Sequence, residues 1–264
     1  MKVQQNIRLL VRHPGVFLRP RRYVLVLSHM RSYSSLLCHI LGSHPEIAGY
    51  AEMHQRYNGP FDLFRVRARV SRSLGGDLPG RFVLDKVLHN DYAIAPSVLT
   101  RAGIYPIFLV RDPTDSMRSI IELGARVPNA HVYSDPDSTS SYYVDRLHEL
   151  ARLARARHGD ALFVRAEDVV DATRTTLDAI ARFLGLGQPL LDVYTTFPRT
   201  GHPGWGDDSE LIRAGRIVKN RAKRNLTGIP EEPLRRAVEA YVECCRILDR
   251  HCDTAGADGE PSSR

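Results

Sequence analysis

The chain has 264 residues, 43% apolar and 8% aromatic, enough for a sizeable core and too apolar for an unfolded chain. Its 19 Gly and 16 Pro exclude collagen-like and low-complexity architectures, and apolar runs such as Tyr23–Leu27 are too short to span a bilayer. The formal charge of +7 favours anionic partners, and it is carried almost wholly by arginine, since Lys2, Lys86, Lys219 and Lys223 are the only lysines.

In chain order, residues 1–22 form a basic N-terminal arm. Within it residues 5–12 read as a short amphipathic helix, with Ile7, Leu10 and Val11 on one side, stopped near Pro14. Tyr23–Leu27 is a continuous β-branched and apolar run, as expected of a strand buried on both faces. A polar segment, Ser28–Ser34, leads into a helix over Leu36–Leu41 that ends at Gly42, and a short second strand lies between His44 and Ala51. Strand, polar loop and helix in this order open nucleotide-binding βαβ units. Phe82–Val87 and Tyr105–Val110 read as further strands around a helix over residues 92–102. Pro113 suits the first turn of a helix running to about Gly124. Residues 138–158 form a longer helix, Ala161–Val164 a strand, and Val169–Leu184 a helix capped by Gly185.

Residues 196–209, rich in Pro, Gly and Asp, form a loop that contains Trp205, and Pro233–Cys252 is a final amphipathic helix. Residues 54–75 and 125–145 show no clear pattern. The reading is one α/β domain over residues 23–252, a three-layer αβα arrangement around a mostly parallel sheet, with residues 253–264 as a disordered tail. Cys38, Cys244, Cys245 and Cys252 have neither redox nor zinc spacing, so they read as reduced packing residues, no metal site is expected, and a cytoplasmic location is expected.

Two segments carry the chemistry. The first, His29-Met-Arg-Ser-Tyr-Ser-Ser-Leu-Leu37, enters a helix N-terminus, where free amides and the helix dipole favour an anion. Arg31 adds a charge, and Ser32, Ser34 and Ser35 add hydroxyls; the glycines and lysine of a Walker sequence are missing. The second is Phe108-Leu-Val-Arg-Asp-Pro-Thr-Asp-Ser-Met-Arg-Ser119. Arg111 leaves the C-terminal end of a strand, where ligands collect in open parallel sheets, and Ser119 lies two turns into the next helix. The plain alternative pairs Arg111 with Asp112 or Asp115 and leaves Ser119 in solvent.

Together, Arg31-Ser-Tyr-Ser-Ser35 and Arg111-Asp-Pro-Thr-Asp115 with Ser119 in register resemble the two signatures of sulfotransferases that use 3′-phosphoadenosine 5′-phosphosulfate. The resemblance continues through Gly42-Ser-His-Pro-Glu46 and Val164-Arg-Ala-Glu-Asp-Val169 and covers most of residues 22–190. It implies a P-loop NTPase-like fold, with the 5′-phosphosulfate on the loop of Arg31, Ser32, Tyr33, Ser34 and Ser35 and the 3′-phosphate on Arg111 and Ser119. It also implies Glu52 as the base for the acceptor, and Lys86, at a strand end, on the transferring group. His54 and His89 would line the acceptor pocket, while Arg216, Lys219 or Arg221 would close over the 3′-phosphate. Trp205 either stacks on adenine or packs under its own Gly-rich loop. No metal is implied. Tyr33 replaces the family's glycine, and tyrosine adopts a positive φ only at a cost. Either the loop backbone differs, or residue 33 keeps an ordinary conformation with its ring over the nucleotide.

Sulfuryl transfer to a hydroxyl or amine of a small molecule or glycan is therefore the expected activity, with no nucleic acid, no stable membrane insertion and room for a homodimer through the arm. Two other classes compete: a P-loop-like kinase, which would need a Walker lysine, and a non-catalytic nucleotide, nucleic-acid or membrane binder, which lacks the interleaved aromatics of a stacking platform.

Overall fold

Apolar runs that alternate between two faces build the sheet. In β1 (Arg22–Ser28), Tyr23, Leu25 and Leu27 enter one apolar cluster, while Val24 and Val26 enter another on the opposite face. The computed structural model describes residues 9, 11–157, 160–198, 200–202, 210–219 and 229–255. Most of the expected 5–12 helix, Trp205, Arg221 and residues 256–264 lie outside these.

The remaining strands are β2 (Ile47–Ala48), β3 (Phe82–Val87), β4 (Ile104–Val110), β5 (Leu162–Arg165) and β6 (Asp253–Ala255). Among the described residues they form one sheet in the order β2-β3-β1-β4-β5-β6, with every neighbouring pair parallel. On one face lie α1 (Ser34–Gly42) and α5 (Thr173–Leu184). On the other lie α2 (Pro60–Leu74), α3 (Pro113–Arg126), α4 (Pro136–Arg157) and α6 (Glu231–His251). This is the three-layer αβα architecture. Among the described residues no helix is long and apolar enough to cross a membrane.

Several expected boundaries move, each for a local reason. Residues 253–255 are not tail: they add a strand to β5, and Ala255 is fully buried against the sheet. Residues 60–74, read as patternless, form α2. Asp62 accepts the amides of Asn58 and Gly59 at the helix start, and Leu63, Val66 and Val70 make a narrow apolar stripe between arginines. The expected helix over 92–102 shrinks to a 3-10 turn at Asn90–Tyr92 and one helical turn at Pro96–Leu99, because Pro96 supplies no amide to continue a helix across it. The 169–184 helix is broken at Ala172, where the Thr173 hydroxyl bonds back to the Val169 and Val170 carbonyls.

The described part of the arm packs onto the domain. Val16 is fully buried, and Arg67 of α2 donates to the Phe17 and Arg19 carbonyls at 3.3 and 3.1 Å.

Candidate active site

The chain leaves β1 towards α1 on one face and leaves β4 towards α3 on the other. In open parallel sheets this divergence opens a crevice at the carboxyl ends of the strands. Both anion-binding segments sit there. The loop after β1 holds two non-glycine residues in the left-handed region, Arg31 (φ 62°) and Tyr33 (φ 59°). Tyr33 does not keep an ordinary conformation: it takes a positive φ, at a cost of about 1–2 kcal/mol. Contacts with Arg111 offset that cost. The guanidinium lies 4.2 Å from the Tyr33 ring centroid, Nη2 donates to the Tyr33 hydroxyl at 3.0 Å, and Nη1 donates to the Arg31 carbonyl at 2.9 Å.

Arg31 Nε in turn donates to Ser119 Oγ at 2.7 Å, and Ser119 is buried. Arg31, Tyr33, Arg111 and Ser119 thus form one cluster. Arg111 does pair with Asp115 at 3.3 Å, yet its buried Nε has no hydrogen-bond partner. Asp112 caps α3 by accepting the Thr114 and Asp115 amides at 2.8 and 3.3 Å, and Glu167 accepts the Asp112 amide at 2.9 Å.

A buried frame joins the two segments. His29 donates from Nδ1 to the Met30 carbonyl at 2.8 Å and accepts the Arg111 amide on Nε2 at 3.0 Å. Burial pulls its pKa down to about 3, so it stays neutral at physiological pH. Ser32 is also fully buried: its hydroxyl bonds the His29 carbonyl at 2.7 Å and lies 2.6 Å from Ser28 Oγ, so it serves the loop itself.

Strand alternation separates the two charged residues at the end of β3. Lys86, 1% exposed, donates to Ser35 Oγ at 3.0 Å and has no carboxylate within ion-pairing distance among the described residues. Asp85 points to the other face, where it accepts the Met53 amide at 2.8 Å and the Tyr57 hydroxyl at 2.5 Å; burial raises its pKa to about 7.

Asp85 thereby anchors the segment that carries Glu52. That segment starts at Gly49 (φ 115°), where an added Cβ would lie 2.5 Å from the Leu84 carbonyl oxygen of β3, so the close approach requires glycine. Glu52 is 6% exposed; Oε1 is buried with no hydrogen-bond partner, and Oε2 lies 3.8 Å from His54 Nε2. Arg56 Nε donates instead to the Asp91 carbonyl, at 2.7 Å. His54 and His89 flank Tyr92, with ring centroids 5.4 and 6.3 Å away. Burial lowers the His89 pKa and the charge of Glu52 opposes this, which places His89 within the field of that carboxylate.

No known family's sequence profile matches the chain, and no curated protein matches it in sequence. Solved structures do match in shape. One is the sulfotransferase domain from the Synechococcus PCC 7002 olefin synthase, with a TM-score of 0.54 at 20% identity over 85% of this chain and 94% of that one. Another is the sulfotransferase domain from the curacin biosynthetic pathway, with a TM-score of 0.52 at 17% identity over 84% of this chain and 98% of that one. The chain has the sulfotransferase fold.

On this fold two positions matter that the sequence did not single out. Arg146 of α4, fully buried, donates to the Ser28 carbonyl at 2.8 Å, the Val87 carbonyl at 2.6 Å and Asn90 Oδ1 at 2.9 Å, tying the ends of β1 and β3 together beneath the crevice. Tyr142 accepts the Met30 amide at 2.8 Å and donates to the Leu88 carbonyl at 2.9 Å. Neither had a sequence signal, since one arginine among many on a helix reads as a solvated charge. Arg216 is exposed on a stretch bridged to Val193. Among the described residues no group of three or more His, Cys, Asp or Glu is arranged to hold a metal ion.

Proposed function

We propose that this protein transfers the sulfuryl group of 3′-phosphoadenosine 5′-phosphosulfate to a hydroxyl or amine of a small-molecule or glycan acceptor. The observation that carries this reading is the meeting of Arg31 and Arg111, 80 positions apart, through Tyr33 and Ser119 at the mouth of the crevice. Three groups suit the donor and acceptor: the orphaned Arg111 Nε suits a phosphate, the buried Lys86 suits an anion, and the orphaned Glu52 Oε1 suits a proton.

In this mechanism the acceptor oxygen attacks sulfur in line with the departing 5′-phosphate oxygen. An O–S bond forms as the original S–O bond breaks, the electron pair of the broken bond stays on the phosphate, and the acceptor proton passes to Glu52. By analogy with phosphoryl transfer, charge grows on the leaving oxygen, so positioning and fixed cations do most of the work. In this reading Arg31 and Lys86 would meet that charge.

Calorimetry with adenosine 3′,5′-bisphosphate in the absence of metal tests the reading. Arg111→Ala should weaken binding by about 2 kcal/mol or more, because it removes a charge-assisted contact. Glu52→Gln should leave that affinity intact and abolish turnover. Stabilisation by ATP with Mg²⁺ and not by the bisphosphate would overturn the assignment.

A further inference from the structure

Next to Glu52 the surface opens into a cleft of about 410 Å³, walled by His54, Arg56, Arg65, Arg69, Asp91 and Tyr92. Its size falls within the range of small-molecule sites. Its charge is uneven. Arg65 pairs with Asp62 at 3.0 Å, and Asp62 also serves the start of α2, so this pair contributes little net charge. Arg56 is held through the Asp91 main-chain carbonyl, and Arg69 through the Met53 and His54 carbonyls. Neither has a carboxylate within ion-pairing distance among the described residues. Two guanidinium groups therefore face one remaining acid in the wall, the side chain of Asp91. The cleft adjoins the expected base, because His54 in its wall lies 3.8 Å from Glu52 Oε2.

We infer that the acceptor carries, besides the group that is modified, an anionic oxygen group such as a carboxylate or acidic ester, and that Arg56 and Arg69 bind it. The inference rests on the proposed transfer reaction only in calling the occupant an acceptor. With the anion fixed on the arginines, the hydroxyl lies towards Glu52 and the Tyr92 ring forms the side wall. A guanidinium binds a planar carboxylate through two parallel N–H donors, which orients the molecule as well as holding it. Two such groups in the wall of a cleft select against acceptors that are neutral there.

The test uses matched pairs of hydroxyl compounds, each an acid and its own carboxamide: 4-hydroxybenzoate, 4-hydroxyphenylacetate and gluconate. Binding is measured by calorimetry on the full chain, with and without saturating adenosine 3′,5′-bisphosphate. At least one acid should bind about tenfold or more tightly than its amide, the size of one charge-assisted contact. Arg56→Glu should remove that preference without changing affinity for the bisphosphate. Arg56 is the better site for substitution because Arg69 also supports the backbone of the Glu52 segment. If no pair shows the preference, or if it survives Arg56→Glu, the inference is wrong. Failure of the bisphosphate to bind, with the Arg56-dependent preference intact, would remove the donor assignment and leave the anion site standing.

Discussion

Lys86 is a charge kept out of water with one hydroxyl for company, and burial of that kind disfavours the fold unless something else compensates. A bound anion would supply that compensation, so stability and activity should part at this residue. Lys86→Met should stabilise the ligand-free protein by roughly 1–2 kcal/mol, since apolar replacements of buried charges are often stabilising, while turnover is lost. A thermal melt and a sulfation assay on the same preparation decide it; a less stable, still active variant would mean that Lys86 is structural. Tyr33 poses the opposite problem, backbone strain offset by side-chain contacts. Tyr33→Ala loses the ring and keeps the strain, whereas Tyr33→Gly loses the ring and the strain together. The glycine variant should be the more stable of the two by about 1 kcal/mol in urea denaturation. Equal stabilities would show that the left-handed conformation at residue 33 carries no cost.

At the scale of elements, the site depends on β1 and β3 ending side by side, and Arg146 reaches up from α4 to hold them there. Arg146→Met would leave the carbonyls of Ser28 and Val87 and the Asn90 side chain without their donor in a dry interior. A loss of about 3–5 kcal/mol is expected in chemical denaturation, because breaking a buried charged network leaves its partners unsatisfied. A loss under 1 kcal/mol would mean that water replaces the guanidinium. The four longer strands could be read in advance because β1, β4 and β5 are apolar runs bounded by polar or glycine breaks and β3 opens on one, Phe82–Leu84, a signal that does not depend on distant contacts. So could the starts of α1 and α3, where a polar loop and Pro113 fix the entry. Helix α2 escaped because Arg65, Arg67, Arg69 and Arg72 dilute its apolar stripe, and Arg67 is itself drawn inside by the Tyr23 hydroxyl and the carbonyls of the arm. Strand β6 escaped because three residues, two of them exposed, have no pattern of their own and are specified by the free edge of β5. The paired arginines were legible from motif spacing, but Arg146, Asp85 and the cleft arginines take their roles from tertiary neighbours that no local pattern encodes.

For the molecule as a whole, burial shifts two titratable groups in opposite directions, His29 down and Asp85 up, and each makes stability depend on pH. His29 has its pKa lowered to about 3, against an ordinary value of 6.5. Between these values the unfolded chain holds the extra proton, so the His29 contribution is present above about pH 6.5 and is lost as pH falls. Asp85 has its pKa raised to about 7, against 3.8. Here the folded chain holds the extra proton, so its contribution is largest at low pH and declines as pH rises through neutrality. The windows overlap between about pH 4 and 6.5, where the two slopes, each near 1.4 kcal/mol per pH unit, oppose each other and nearly cancel. Removing one group should expose the other. Relative to the unmodified protein, Asp85→Asn should gain stability with rising pH across this window, and His29→Gln should lose it, each by about 1.4 kcal/mol per unit. Comparing slopes rather than absolute stabilities separates this linkage from the contacts each substitution also disturbs: at Asp85 one of the two oxygens that accept the Met53 amide and the Tyr57 hydroxyl, and at His29 the bonds to the Met30 carbonyl and the Arg111 amide. Urea denaturation of the three proteins at half-unit steps measures it. Profiles that stay parallel from pH 4 to 6.5 would mean that water or local opening reaches one of these side chains, and that the interior beneath the crevice is less dry than its packing implies.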